Sequence, residues 1–275
     1  MEKRAVITVD GQDKSLPPFI VNLLNSRGVE AEGFSRFLYP SLADLPHPGK
    51  MKNLTAAARL TLAAIRADRP IVIWGDYDVD GTTGTALLVH FFRELGVEVT
   101  WYIPNRLNEG YGLHSDWFGN RQKCCIGGDF LLITVDCGIS NRREVEIVKE
   151  LGGKVIITDH NTVPKEGVPD CLVVNPSQED CGFHREKLAG VGLAFYLAAA
   201  VRSELAQMPE QAAACEKINL KKYLPFVALG TIADMVELTP TNRILVRSGI
   251  EALQSTKFHG LAELLSCHQI TGSRL

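Results

Sequence analysis

No apolar run in the sequence approaches the length of a membrane span, and no signal peptide opens it, so the expectation is a cytoplasmic protein with no membrane partner. An excess of basic charge is also missing. Lysine and arginine number 29 against 32 aspartates and glutamates, a net charge of −3, so the composition shows no basic nucleic-acid footprint. That does not exclude a nucleic-acid ligand, because carboxylates that bind metal would be neutralised by the bound cations. Paired zinc spacing is lacking too. The seven cysteines (Cys124, Cys125, Cys137, Cys171, Cys181, Cys215 and Cys267) are odd in number, and the first two are adjacent, so all are read as reduced thiols. Cys181 and His184 are too few to make a metal site. Internal repeats and low-complexity segments are absent. What is there is a 45% apolar fraction over 275 residues, enough for one large domain or two smaller ones.

Residues 1–68 read as a helical segment. SLPPFIVNLLNSRG and EAEGFSRFL are short helices, LADLPHPGK is a proline-rich connector, and LTAAARLTLAAIRA is a strong helix ended by Pro70. Residues 69–238 alternate. Strands IVIW, VEVTWYI, DFLLITV, KVIIT and CLVV are separated by helices such as GTALLVHFFRELG and RREVEIVKELG. A turn LAGVG then leads into helix LAFYLAAAVRSEL, and YLPFVALGTIADMV is helical. This alternation predicts an α/β fold with a doubly wound, mainly parallel sheet. Residues 239–275 read as a helical linker.

The chemistry concentrates where strands end. IVIWGDYDVDGTTG sets Asp76, Asp78 and Asp80 at every second position after an apolar strand, in a turn punctuated by glycine. One aspartate there is as well read as a helix N-cap. Three crowded carboxylates repel one another and call for a divalent cation. LLITVDCGIS puts Asp136 after a second strand, and VIITDHN puts Asp159 and His160 after a third. Strands of one parallel sheet end on one edge, where open α/β sheets bind ligands, so these residues converge. Asp234 adds a carboxylate from a helix. Carboxylates with one imidazole and no thiolate suit Mn²⁺ or Mg²⁺. Their number suggests two ions sharing a ligand, the arrangement that hydrolyses phosphoesters with an activated water.

GDYDVDG, TVDCGIS, ITDHN and ALGTIADMV, in this order, resemble the four motifs of the DHH phosphoesterase superfamily. IPNRLNEGYGLH, TVPKEGVPDCLVVNP, LAGVGLAFYL and the leading LPPFIVNLLNSRG through FLYPSLADLPHP are similar to segments of its RecJ-type single-strand-specific exonucleases. The resemblance implies a 5′→3′ exonuclease on single-stranded DNA, serving DNA repair and recombination, with two Mn²⁺ and Mg²⁺ as the substitute. Single-strand-binding protein or a helicase would be further partners. By position it makes Asp78 and Asp80 ligands with Asp76 beside them, Asp136 the bridging carboxylate, and His160 and Asp234 further ligands. Asp159 then supports the loop or His160. Arg106, Tyr111 and His114 lie in or beside the GYG segment and are substrate-binding candidates, as are Gly190 and Gly192, where backbone could approach phosphate. A loop aromatic on the core, a solvated arginine and a plain helix start are the competing readings.

The sequence departs from the family pattern at two positions. The second His of the DHH motif, which usually stands beside the substrate phosphate, is Asn161 here, which can donate a hydrogen bond but carries no charge. Trp74 stands where many members have a metal-binding His, which implies a less tightly held ion. The DHH-associated domain of RecJ-type enzymes is also missing after Leu275, so weak DNA binding and low activity are expected of this chain alone. Two rival functions remain: a hydrolase of short oligonucleotides or cyclic dinucleotides, and a catalytically weakened nucleic-acid-binding module.

Overall fold

The computed structural model describes residues 5–9, 11–119, 128–183, 185–208, 210, 215 and 217–268. Cys124, Cys125 and His184 lie outside them. The chain divides into two compact units, residues 1–45 and 46–275.

The first unit opens with an antiparallel hairpin, β1 (Ala5–Val9) and β2 (Gln12–Leu16). Gly11 makes the turn at φ 74°, where a Cβ is disfavoured. Helix α1 (Pro18–Ser26) starts with proline, whose missing N–H costs nothing there, and α2 (Phe34–Leu38) follows. Ile7, Leu16, Leu24 and Phe34 form its small core. The hairpin is a departure from the all-helical expectation. In β2 the residues before Leu16 are polar and exposed, so no apolar alternation marks the strand.

The second unit begins with α3 (Leu54–Arg66) and then alternates. In order come β3 (Ile71–Gly75), α4 (Val79–Glu94), β4 (Thr100–Tyr102), α5 (Ser115–Gly119), β5 (Phe130–Val135), α6 (Arg142–Glu150), β6 (Gly153–Thr158) and β7 (Leu172–Val174). Helices α7 (Gly190–Ala206), α8 (Leu224–Ala233), α9 (Pro240–Leu253) and α10 (His259–Cys267) complete it. The five strands form one sheet in the order β4-β3-β5-β6-β7, and every pairing is parallel. The predicted fold class is the one observed. Strand β4 is shorter than its sequence suggested, because it sits at the sheet edge with Trp101 exposed. Helix α7 begins at Gly190, so the expected LAGVG turn is instead the helix's own first turn.

Strands β3, β5 and β6 are buried on both faces, which explains their unbroken apolar runs. One face sets Val72, Trp74, Leu132, Ile157 and Val173 against α5 and α6. Helices α3, α4 and α7 pack on the other face. Trp74 is fully buried, stacks on Phe118, meets Trp117 edge-on, and donates its indole N–H to Gly112 O at 3.1 Å. The winding direction reverses between β3 and β5, which opens a crevice beyond their C-terminal ends. Among the described residues no helix is long and apolar enough to cross a membrane.

Candidate metal centre

The crevice is lined by Asp76, Asp78, Asp136, His160, Asn161 and Asp234, with Tyr111, Ile139, Ser140 and Thr162, and encloses about 420 Å³. Strand ladders deliver three of these segments. The amide of Asp76 still bonds to Val135 O at 3.1 Å, that of Asp136 to Thr158 O at 2.9 Å, and that of Asp159 to Val174 O at 3.2 Å. Each carboxylate is therefore fixed by the residue one step past a strand.

The turn after β3 winds at once into α4. Asp78 is the N-cap of α4 and accepts the Gly81 amide at 2.9 Å. Gly81 is required by space, since a Cβ there would stand 2.5 Å from the Asp76 carbonyl oxygen. Asp80, in the first turn of α4, points at the start of α7. Its Oδ2 accepts the Gly190 amide at 2.6 Å and its Oδ1 the Val191 amide at 2.8 Å. The unpaired N–H groups of a helix N-terminus thus hold a buried carboxylate.

Two groups of ligand atoms result. Asp76, Asp78 and Asp136 offer atoms within 4.8 Å of one another, and so do Asp80, Asp136 and His160. Asp136 belongs to both. His160 Nε2 lies 3.0 Å from Asp136 Oδ1, 3.6 Å from Asp80 Oδ2 and 3.6 Å from Asp234 Oδ2. The backbone of Asp136 is left-handed at φ 62°, a sparsely populated conformation for a residue with a Cβ. Met235, directly after Asp234, is likewise left-handed at φ 55°.

Burial dominates the electrostatics. It pushes the Asp76 and Asp80 carboxyls up to about 6 and Asp136 to about 8, although backbone amides and His160 oppose it. Burial also raises Asp234. Burial alone would lower His160, but the Asp136, Asp80 and Asp234 carboxylates outweigh it and raise the imidazole to about 9. Asp76 Oδ1 is buried without a hydrogen bond, and the buried Asp136 Oδ1 lies 3.0 Å from His160 Nε2. Oxygens so placed, with one imidazole and no thiolate, fit hard divalent cations.

A model of the DHH family N-terminal domain matches residues 70–231. The chain belongs to the DHH family. It is 39% identical over 252 residues to the single-stranded-DNA-specific exonuclease RecJ of Bacillus subtilis, covering 91% of this chain and 30% of that one. To the RecJ of Haemophilus influenzae it is 36% identical, covering 92% of this chain and 43% of that one. It therefore spans less than half the length of these curated relatives. Among solved structures, an exonuclease RecJ bound to manganese matches at TM-score 0.69 and 37% identity, over 81% of this chain and 53% of that chain. RecJ of Thermus thermophilus in complex with Mn²⁺ matches at TM-score 0.68 and 33% identity, over 94% of this chain and 37% of that chain.

In this DHH domain the other candidates divide. Tyr111 lines the crevice and its hydroxyl donates to Asp136 O at 3.2 Å. Asn161 Nδ2 donates to Tyr111 Oη at 2.9 Å and to Asp159 Oδ1 at 2.8 Å. Asp159 braces the loop after Asp136, since its Oδ2 accepts the Ile139 amide at 2.9 Å. Arg106 stacks over the Tyr77 ring at 5.2 Å, and Tyr77 meets Tyr111 edge-on at 6.5 Å. His114 packs against Trp74 with ring centroids 6.0 Å apart and lies outside the described crevice lining. Gly190 and Gly192 are buried, and the Gly190 amide is committed to Asp80. Tyr77, between Asp76 and Asp78, carries no signal of its own in the sequence, nor do the lining residues Ile139, Ser140 and Thr162, which lie inside or beside the acidic motifs.

Proposed function

We propose that residues 69–238 of this chain are the metal-binding domain of a phosphodiesterase that hydrolyses single-stranded DNA from a 5′ end. The observation that supports this most strongly is the sharing of Asp136 by two ligand triads. The names and bound metals of the RecJ relatives support the substrate class and the choice of Mn²⁺, with Mg²⁺ as its substitute. Asp76, Asp78 and Asp136 would hold one ion. Asp80, Asp136, His160 and Asp234 would hold the other. When bound, such a pair polarises the phosphoryl oxygen and lowers the pKa of the attacking water.

The chain's own residues prepare for this. The α7 amides keep Asp80 oriented and charged. His160 must release its Nε2 proton to ligate, so cation and proton compete at that atom. Arg106, held over Tyr77 and near enough to Asp76 to act on its charge, would offer a guanidinium to a phosphate. A single-strand-binding protein or a helicase would deliver the strand.

The test is digestion of a 5′-labelled single-stranded oligonucleotide with Mn²⁺, beside an Asp136→Ala control and with a relative's DHH-associated domain supplied in trans. Release of labelled mononucleotide, lost in the control, is the expected result. Asn161 supports a second reading, a weakened binding module, because both its amide hydrogens are used within the protein. Strand binding and Mn²⁺ uptake without turnover would favour that reading.

A further inference from the structure

The Tyr111 hydroxyl stands between two groups. It donates to the Asp136 carbonyl oxygen at 3.2 Å and accepts from Asn161 Nδ2 at 2.9 Å. Asn161 is itself held on three sides. Its second amide hydrogen goes to Asp159 Oδ1 at 2.8 Å, its backbone N–H goes to the same oxygen at 2.9 Å, and its carbonyl accepts Asn175 Nδ2 at 2.9 Å. The Asp159 carboxylate can only accept, so the amide group facing it must be the NH₂ end. Asp159 in turn is tied to the Ile139 amide, three residues past Asp136. The chain of bonds therefore starts and finishes on the loop that carries the shared carboxylate.

That loop needs holding. Asp136 sits at φ 62°, and an outlier of this kind persists only where its surroundings over-determine it. Its amide is fixed by Thr158 O at 2.9 Å. The Tyr111 hydroxyl holds its carbonyl. Held on both sides, the Asp136 Cα keeps the direction in which the carboxylate leaves the backbone towards the two triads.

We propose that the Tyr111 hydroxyl is a positioning group for the shared carboxylate of Asp136, and that Asn161 holds Tyr111 in place instead of touching substrate phosphate. This rests on the metal-dependent reading above. It also gives Asn161 a role that histidine-to-asparagine replacement alone does not suggest. With both amide hydrogens committed, its remaining group is the acceptor Oδ1, which has no attraction for a phosphate oxygen.

Tyr111→Phe removes the hydroxyl and keeps the ring beside Tyr77. The measurement is Mn²⁺ titration of the chain by calorimetry, with electron paramagnetic resonance to read magnetic coupling between the two ions. The wild type is expected to take up two ions and show a coupled spectrum. Tyr111→Phe is expected to bind about 10–100-fold more weakly, the usual cost of losing a group that orients a ligand, and to lose coupled signal. Its metal-free form keeps cooperative unfolding, with a midpoint lowered only slightly by the two hydrogen bonds lost. Asn161→Ala shifts both readouts the same way, and the double variant is no worse than Tyr111→Phe, because the two residues act in series. Unchanged uptake and coupling in Tyr111→Phe, beside a wild type that binds two ions, would overturn this proposal alone. A wild type that binds no Mn²⁺ would overturn the metal-dependent reading and this proposal with it.

Discussion

Gly190 lies so close to Asp136 that a Cβ on the glycine would stand 2.5 Å from the aspartate Cβ. The contact joins the start of α7 to the end of β5. It lets the α7 amides reach Asp80 while Asp136 passes beside them. Gly190→Ala therefore must push α7 away from both carboxylates. The expected cost is about 1–3 kcal/mol of stability, as for other overpacked sites, with a larger proportional loss of Mn²⁺ affinity. Urea unfolding and calorimetry check the two parts separately.

The two triads predict different stoichiometries for different variants. Asp234 stands beside the second group, its Oδ2 3.6 Å from His160 Nε2. Asp234→Ala should lower Mn²⁺ uptake from two ions to one. Asp136 serves both groups, so Asp136→Ala should abolish tight binding of either ion. Equal effects of the two substitutions in calorimetry would contradict the shared-ligand geometry.

The buried carboxylates make the metal-free protein sensitive to pH in a defined direction. Burial raises Asp76 and Asp80 from 3.8 to about 6 and Asp136 to about 8. The folded state then binds more protons than the unfolded state. Stability is full below the unfolded carboxylate range and is lost as pH rises through 6 and then 8. His160, raised from 6.5 to about 9, adds a contribution of the same sign at the upper end. With EDTA, the urea midpoint should fall between pH 5 and pH 9. With saturating Mn²⁺ it should fall less or rise, because binding displaces those protons.

Trp74 ends β3 one residue before Gly75 and the ligand turn, yet its ring lies wholly in the aromatic core. Trp74→Ala should cost about 3–5 kcal/mol, the range for a buried aromatic. Trp74→Phe should cost less, chiefly the bond lost at Gly112 O, about 1–3 kcal/mol. Neither should change the number of Mn²⁺ ions bound. Fluorescence-detected unfolding and metal titration separate the effects.

The sheet and its ligand edge were legible because both faces of β3, β5 and β6 are buried, which leaves unbroken apolar runs ending in acid. The hairpin over residues 5–16 was not legible. Its second strand is polar and solvated, and Gly11 alone marks the turn. The α7 start was misread as a turn because glycine usually breaks helices. Here Gly190 opens one, for the sake of the Asp136 contact. Asp80 and Gly190 are 110 residues apart, and Tyr111 and Asn161 are 50 apart, so no local pattern announces either pair. Spacing marks Asp80 only as one of three crowded carboxylates, and the family resemblance makes it a ligand; its helix-terminus partner is visible only in the folded chain.

The most direct test of the account is anomalous diffraction at the manganese edge from crystals soaked in Mn²⁺. The account predicts two peaks flanking Asp136, one among Asp76, Asp78 and Asp136 and the other among Asp80, Asp136, His160 and Asp234. A single peak that excludes Asp136, or no peak at that sheet edge, would contradict it.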